Sequence, residues 1–503
     1  MSNFLTRHTW SASVCVTLAF ALVLGSSLCS SHLVSATPSS VQLKQLSSDP
    51  YTNSASQHKT EVEPDTYSFG STIVATFQAG RFYSGGGSSN IGWATSTNNG
   101  SSWTNGFLSG ITVYAGGTYK RASDPSVAHD AAHHTWLISS LAMSVSNKNV
   151  VGVAILISRS TDGGLTWGKP IVVAAAGPND NLDKEWIVCD ETVSSPYYGH
   201  CYVEWDNKNL KSRILMSTST DAGIRWGNAK SPQKQSFSAL GGQPLVQPNG
   251  TVIVPIYGTD LTTNIDNIYA YTSTDGGTSW NDPVVVSPVT YHIQQASYRG
   301  GSLPSAEIDQ AGKVYVVWAD CRFEKNCSAG DIVMSTSTNG MTWTAVQRIP
   351  IDPVGSGVDH FTAGIAVDKN TAGSQAHLAL AYYYFANTNC TNTTCQLYAG
   401  FVSSVNGGAS WSSNVQLAGE MSLKWLAKTT DGYMTGDYIS TSIVGGQAFP
   451  AIAVAFVPHQ KKLREFMYTA ALNVVGGPIR VTNNAVVVTP HRQRSNTKYL
   501  TAN

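Results

Sequence analysis

The stretch Ser158–Trp167, SRSTDGGLTW, decides how the rest of this chain is read, because its core recurs five more times. The related segments are STNNGSSW ending at Trp103, STDAGIRW at Trp226, STDGGTSW at Trp280, STNGMTW at Trp343 and SVNGGASW at Trp411. Successive tryptophans stand 64, 59, 54, 63 and 68 residues apart, and the copy at Trp343 is one residue shorter between Asn339 and its ring. A near-constant period of this length marks one supersecondary unit used repeatedly. Each copy has the chemistry of a hairpin corner. Asp or Asn accepts backbone hydrogen bonds, a glycine takes the positive φ that side chains resist, and Trp folds back over the turn. Apolar or alternating runs flank the corners, as in VVGVAILIS before Arg159 and KPIVVAA after Trp167, and these read as strands. Asp162, Asp221 and Asp275 are therefore architectural rather than catalytic.

These segments resemble the Asp-box, or BNR, repeat S-x-D-x-G-x-x-W of the sialidase superfamily. The resemblance implies an all-β, sialidase-like β-propeller of four-stranded antiparallel blades, with the six Asp boxes on the rim away from the ligand-binding face. Seven turns lead into innermost strands, at Glu63, Ser123, Asp183, Gly242, Leu303, His360 and Gly436, so seven blades are favoured over six. The last unit lacks a fourth strand of its own. The segment VQLKQLS, Val41–Ser47, is expected to supply it by pairing near Glu465–Leu472 and so to close the ring.

Charged residues make up only 12% of the 503, against about 25% in an average chain, and Lys+Arg equals Asp+Glu at 31 each. This neutral balance gives no electrostatic reason to expect nucleic acid or an anionic membrane as partner. Arg7 and His8 precede the apolar run VCVTLAFALVLGSSL, and VSA at Val34–Ala36 offers small residues for cleavage. Residues 1–36 therefore read as a signal peptide, 37–62 as an N-terminal segment with the ring-closing strand, 63–473 as the propeller and 474–503 as a polar tail. The expected product is secreted, monomeric and free of the membrane once the signal is removed. Six cysteines remain after Cys15 and Cys29 leave with the signal, and they fall into near neighbours. Short loops close most readily, so the expected disulfides are Cys189–Cys201, Cys321–Cys327 and Cys390–Cys395. None of these pairs has zinc-type spacing, and neither a metal nor a cofactor is expected.

Polar residues at the entrances to innermost strands converge near the axis of such a ring. The sialidase resemblance implies that arginines hold a sugar carboxylate, a tyrosine activated by a glutamate attacks the anomeric carbon, and an aspartate protonates the leaving group. Arg81, Asp124, Glu307, Arg322 and Tyr438 follow the family's order. Asp124, Glu307 and Tyr438 are thus the expected catalytic residues, and Arg81, Arg322, Lys184, His360 and Asp437 the expected substrate-binding ones. Two departures are visible: Phe82 and Tyr83 follow Arg81 in place of Ile-Pro, and no arginine lies between Arg348 and Arg464. The implied activity is that of an exo-acting glycoside hydrolase releasing terminal acidic sugars from glycans. A non-catalytic glycan- or protein-binding propeller is the alternative, as is a polysaccharide lyase using Tyr438 and His360 as base and acid.

Overall fold

The computed structural model describes residues 41–146 and 149–480. The expected signal segment, 1–36, and residues 481–503 lie outside the described residues. All regular elements among the described residues are strands or single turns of 3-10 helix, as the patterning required. No helix among them is long and apolar enough to cross a membrane.

The strands follow one another as antiparallel meanders. The first unit, Glu61–Phe69, Thr72–Arg81, Ser88–Ser96 and Thr104–Phe107, is joined by the single pair Ser88–Ala122 to the second. That second unit is Arg121–Asp130, Thr135–Ser146, Asn149–Ser160 and Ile171–Ala175. The third has three strands, Leu182–Cys189, Cys201–Asn207 and Arg213–Ser219, with a lone bridge from Met216 to Lys230 where a fourth was expected. Units built on Val252–Asp260, Val314–Asp320 and Leu378–Phe385 come next. The last contains Ser440–Val444, Gln447–Ala455 and Glu465–Thr469, and Lys44–Gln45 from the other end of the chain pair with Thr469 and Tyr468. Central strands such as VYVVWAD, Val314–Asp320, are buried along their whole length. Sheets cover both of their faces, which is why they read as continuous apolar runs rather than strict alternation.

Antiparallel register places the repeats. Phe69 pairs with Thr72 and Ile73 with Ser96, so the inner strand ends where the Asp box begins, and its entrance lies at the opposite end of the sheet. The second unit repeats this through Asp130–Thr135 and Trp136–Ser160. In the box of the second unit Ser160 Oγ donates to Asp162 Oδ1 at 2.7 Å and accepts from the Gly164 amide at 2.9 Å. Asp162 Oδ1 also accepts the Leu165 and Thr166 amides, and Trp167 Nε1 donates to the Gly164 carbonyl at 3.2 Å. The other five boxes keep the serine, the Asp or Asn acceptor and the glycine amide. Trp280 is the exception in its indole N–H, which is buried without a partner while the ring packs edge-on against Tyr271. Burial is the largest single influence on Asp162 and opposes its charge, but the combined hydrogen bonds hold it down to about 2. These carboxylates are thus fixed acceptors in a turn.

Each box also packs on the sheet before it. A Cβ on Gly164 would stand 2.8 Å from Val74 of the first unit, and one on Gly100 only 2.1 Å from the Phe449 ring of the last. The inner strands touch in succession, and Ser440–Val444 touches Glu61–Phe69. Residues from the seven inner strands line one cavity of about 570 Å³. The three expected disulfides are present. Strand pairing continues past Asn473, where Ile479–Arg480 pair with Ser410–Trp411.

Candidate active site

Three successive inner strands break register at the same level near their entrances, between Val62 and Asp65, Ser123 and Ser126, and Asp183 and Trp186. At each break a residue other than glycine adopts positive φ: Glu63 at 55°, Asp124 at 50° and Lys184 at 39°. Bulges re-aim side chains, and such conformations persist only where the surroundings enforce them. All three residues line one polar cavity of about 50 Å³, together with Arg81, Arg299 and Asp437. The sixth unit has the same bulge, at Thr362 with φ of 47°, but that residue lies outside the cavity.

The charges in this cavity are arranged in pairs and gaps. Arg299 Nε donates to Asp437 Oδ1 at 2.7 Å, its Nη2 donates to Asp437 Oδ2, and Nη1 lies 3.8 Å from Asp431. Burial works against the charge on Asp437, but the Arg299 guanidinium more than offsets it and holds the carboxyl below the usual range. Arg81, 2% exposed, gives Nε to Met434 Sδ and Nη1 to the carbonyls of Phe82 and Gly87. Glu63 accepts from Gln78 Nε2. Burial, reinforced by Asp124 and Asp437, pushes Glu63 up to about 8, so it keeps its proton at neutral pH. Burial raises Asp124 as well, against the pull of Lys184.

Lys184 is the least satisfied cation. Its Nζ is sealed from solvent without a hydrogen-bond partner, 3.8 Å from the centre of the Tyr438 ring and 4.5 Å from that of Trp186. Behind it lie Glu185 and Glu204, whose carboxylate oxygens are also buried and unpartnered. Burial raises both, Glu204 to about 8.

The structure divides the expected residues. Arg81, Asp124, Lys184 and Asp437 come together, and the Tyr438 ring closes over Lys184. The Tyr438 hydroxyl donates to the Pro125 carbonyl at 3.1 Å, and burial keeps the phenol protonated. Glu307 lies instead on the 570 Å³ cavity with Asp65 and Lys369, where burial raises it to about 7. Arg322 lines neither cavity, since Asp320 takes its Nε at 2.8 Å and its Nη2 at 2.6 Å. His360 sits among Asp331, Asp352 and Tyr382 and also lines neither. Of the five residues expected around one pocket, the structure brings Arg81 and Asp124 to the small cavity, sets the Tyr438 ring against Lys184 at its edge, and places Glu307 and Arg322 elsewhere. Chain order does not say which way a strand residue faces, nor whether a neighbour such as Asp320 already occupies a guanidinium. Glu63 and Arg299 were missed. Glu63 had a signal, because Glu63-Pro64 and Asp124-Pro125 are the same acidic-proline dipeptide at equivalent bulges.

Residues 146–381 match the family model described as BNR repeat-like domain. That stretch holds the boxes ending at Trp167, Trp226, Trp280 and Trp343, so the match and the repeat fall on the same segment. Among solved structures it is similar to a Hadza microbial sialidase at 14% identity, over 81% of this chain and 74% of that one, with a TM-score of 0.45. It is also similar to a Penicillium chrysogenum alpha-L-arabinanase at 14% identity, over 69% and 94%, with a TM-score of 0.43. An ulvan lyase matches at 11% identity over 86% and 96%, with a TM-score of 0.48. None of the curated proteins compared matches the chain.

Proposed function

We propose that the chain is a seven-bladed BNR propeller that hydrolyses glycosidic bonds of glycans ending in an acidic sugar, by sialidase-type chemistry. The observation that carries this reading is the convergence of Glu63, Asp124 and Lys184, three strained residues at equivalent bulges, on one charged cavity with Arg81 and Arg299. The closed ring is supported by the Lys44–Gln45 pairing and by the packing of the first box on Phe449. In this reading Lys184 and Arg81 receive the sugar carboxylate. The raised carboxyl group of Asp124, with protonated Glu63 beside it, supplies the proton to the leaving oxygen. Tyr438 attacks the anomeric carbon as the bond to the leaving oxygen breaks, passing its phenolic proton to a neighbouring carboxylate, for which Asp65 at about 6 is the base available at neutral pH, and must give up its bond to Pro125 to do so. A secreted, monomeric protein meeting extracellular glycoconjugates fits the three disulfides.

The same Tyr438–Pro125 bond favours a second reading, a non-catalytic propeller that binds acidic glycans. The lyase alternative is less favoured because its expected acid, His360, sits with Asp331 and Asp352, whereas Tyr438 packs on Lys184 of the cavity. The test is release of a fluorogenic sialoside compared with a panel of uronic-acid polysaccharides, repeated with Tyr438→Phe. Hydrolysis lost by orders of magnitude in the folded variant supports the hydrolase. Folded wild-type protein that is inert on every substrate but retains glycan binding supports the second reading.

A further inference from the structure

His360 leads to a separate cluster. One oxygen each of Asp331 and Asp352 and a ring nitrogen of His360 lie within 4.8 Å of one another, beside the start of the inner strand Asp359–Val367. Asp331 and His360 are each 2% exposed. Arg348 accounts for part of this cluster: its Nε donates to Asp331 Oδ1 at 2.7 Å and its Nη2 to Asp352 Oδ1. Ser356 Oγ donates to Asp352 Oδ2. Asp331 Oδ2 and His360 Nδ1 remain, both sealed from solvent with no hydrogen-bond partner. Just beyond them His292 Nε2 and Asp359 Oδ2, 3.6 Å apart, are likewise unpartnered.

We propose that Asp331, Asp352 and His360 bind a divalent transition cation of the zinc or manganese type. Buried acceptors left unpaired are rare and costly, and here two belong to residues of one cluster. Donors held about 2.0–2.2 Å from such an ion stand roughly 3–4.4 Å from one another, which fits groups that are close together yet not hydrogen-bonded to each other. Two carboxylates against the single charge of Arg348 leave one net negative charge to meet the cation when both are ionised. An imidazole nitrogen beside carboxylate oxygens suits zinc or manganese, whereas calcium takes six to eight oxygens. The ion ties the segment after the Cys321–Cys327 disulfide to the start of an inner strand, so its effect is on stability.

The test uses the full, tag-free chain, stripped with a chelator, desalted and returned to zinc or manganese. The expected result is one equivalent of metal per chain by elemental analysis and a Tm several degrees above that of the stripped protein. His360→Gln keeps the volume of the ring, so it should melt near the stripped wild type and gain nothing from either metal. Asp331→Asn, which keeps an oxygen for Arg348, serves if that variant does not fold. The inference is overturned if wild-type protein holds neither metal stoichiometrically, if calcium alone binds, or if His360→Gln shows the same rise in Tm.

Discussion

Gly100→Ala tests whether the ring closes. Gly100 has φ of 76°, and an added Cβ would lie 2.1 Å from Phe449 Cε1 and 2.7 Å from Cζ, on a sheet some 350 residues away in sequence. The left-handed conformation alone costs a residue with a side chain roughly 1–2 kcal/mol. Overpacking against a buried ring adds typically about 1–3 kcal/mol, so the expected loss is roughly 2–5 kcal/mol. Gly163→Ala is the control, because its φ of 82° is similar but nothing lies within 4 Å of its Cβ position, and it should show the conformational cost alone. The contact itself is isolated by a cycle with Phe449→Ala: removing the ring makes room for the methyl, so the double variant should be more stable than the sum of the single losses predicts. Urea unfolding followed by tryptophan fluorescence measures each difference. If Gly100→Ala costs no more than Gly163→Ala and the cycle is additive, the first and last sheets are not in register contact and the closed ring is refuted.

Three further outcomes follow from the charges. Burial pushes Glu61, Glu63 and Glu204 up to about 8, so between about pH 4.5 and 8 the folded chain holds protons that the unfolded chain has released. Stability must fall as pH rises through that window. Tm should be higher at pH 5 than at pH 8, and Glu204→Gln should flatten the slope and stabilise the chain at pH 8 by more than the ~1.4 kcal/mol of one pKa unit. A Tm that rises across the window in the wild type refutes this. Asp437→Asn takes away the carboxylate that holds the buried Arg299 guanidinium bidentately, leaving only Asp431 at 3.8 Å, and should cost up to roughly 3–5 kcal/mol of unfolding free energy, against little effect for Asp282→Asn at the exposed Lys234 pair. Asp124→Asn should lose hydrolysis of a sialoside with a poor leaving group while sparing one with a nitrophenol-like leaving group, which needs little protonation; equal losses on both exclude Asp124 as the proton donor.

The repeat was legible in the sequence because everything it needs is local. Serine, Asp or Asn, glycine and Trp of one box satisfy each other within eight residues, so the hydrogen bonds of Ser160, Asp162, Gly164 and Trp167 follow from spacing alone. Local loop closure likewise sufficed for the three disulfides, and the lack of a fourth strand in the last unit pointed to Val41–Ser47. The site was legible only in part. Order along the chain located the strand entrances of Arg81, Asp124, Lys184 and Asp437, but the pocket is assembled from residues more than 350 positions apart, and which side chains face it depends on bulges and on competing partners. The turn of a single peptide at Glu63 brought that carboxyl into the pocket, and an aspartate two residues away took Arg322 out of reach. A strand of period two carries no mark of where its register slips, and a guanidinium carries no mark of which carboxylate will find it first. Both are settled by packing between sheets, and only the tertiary structure contains that packing.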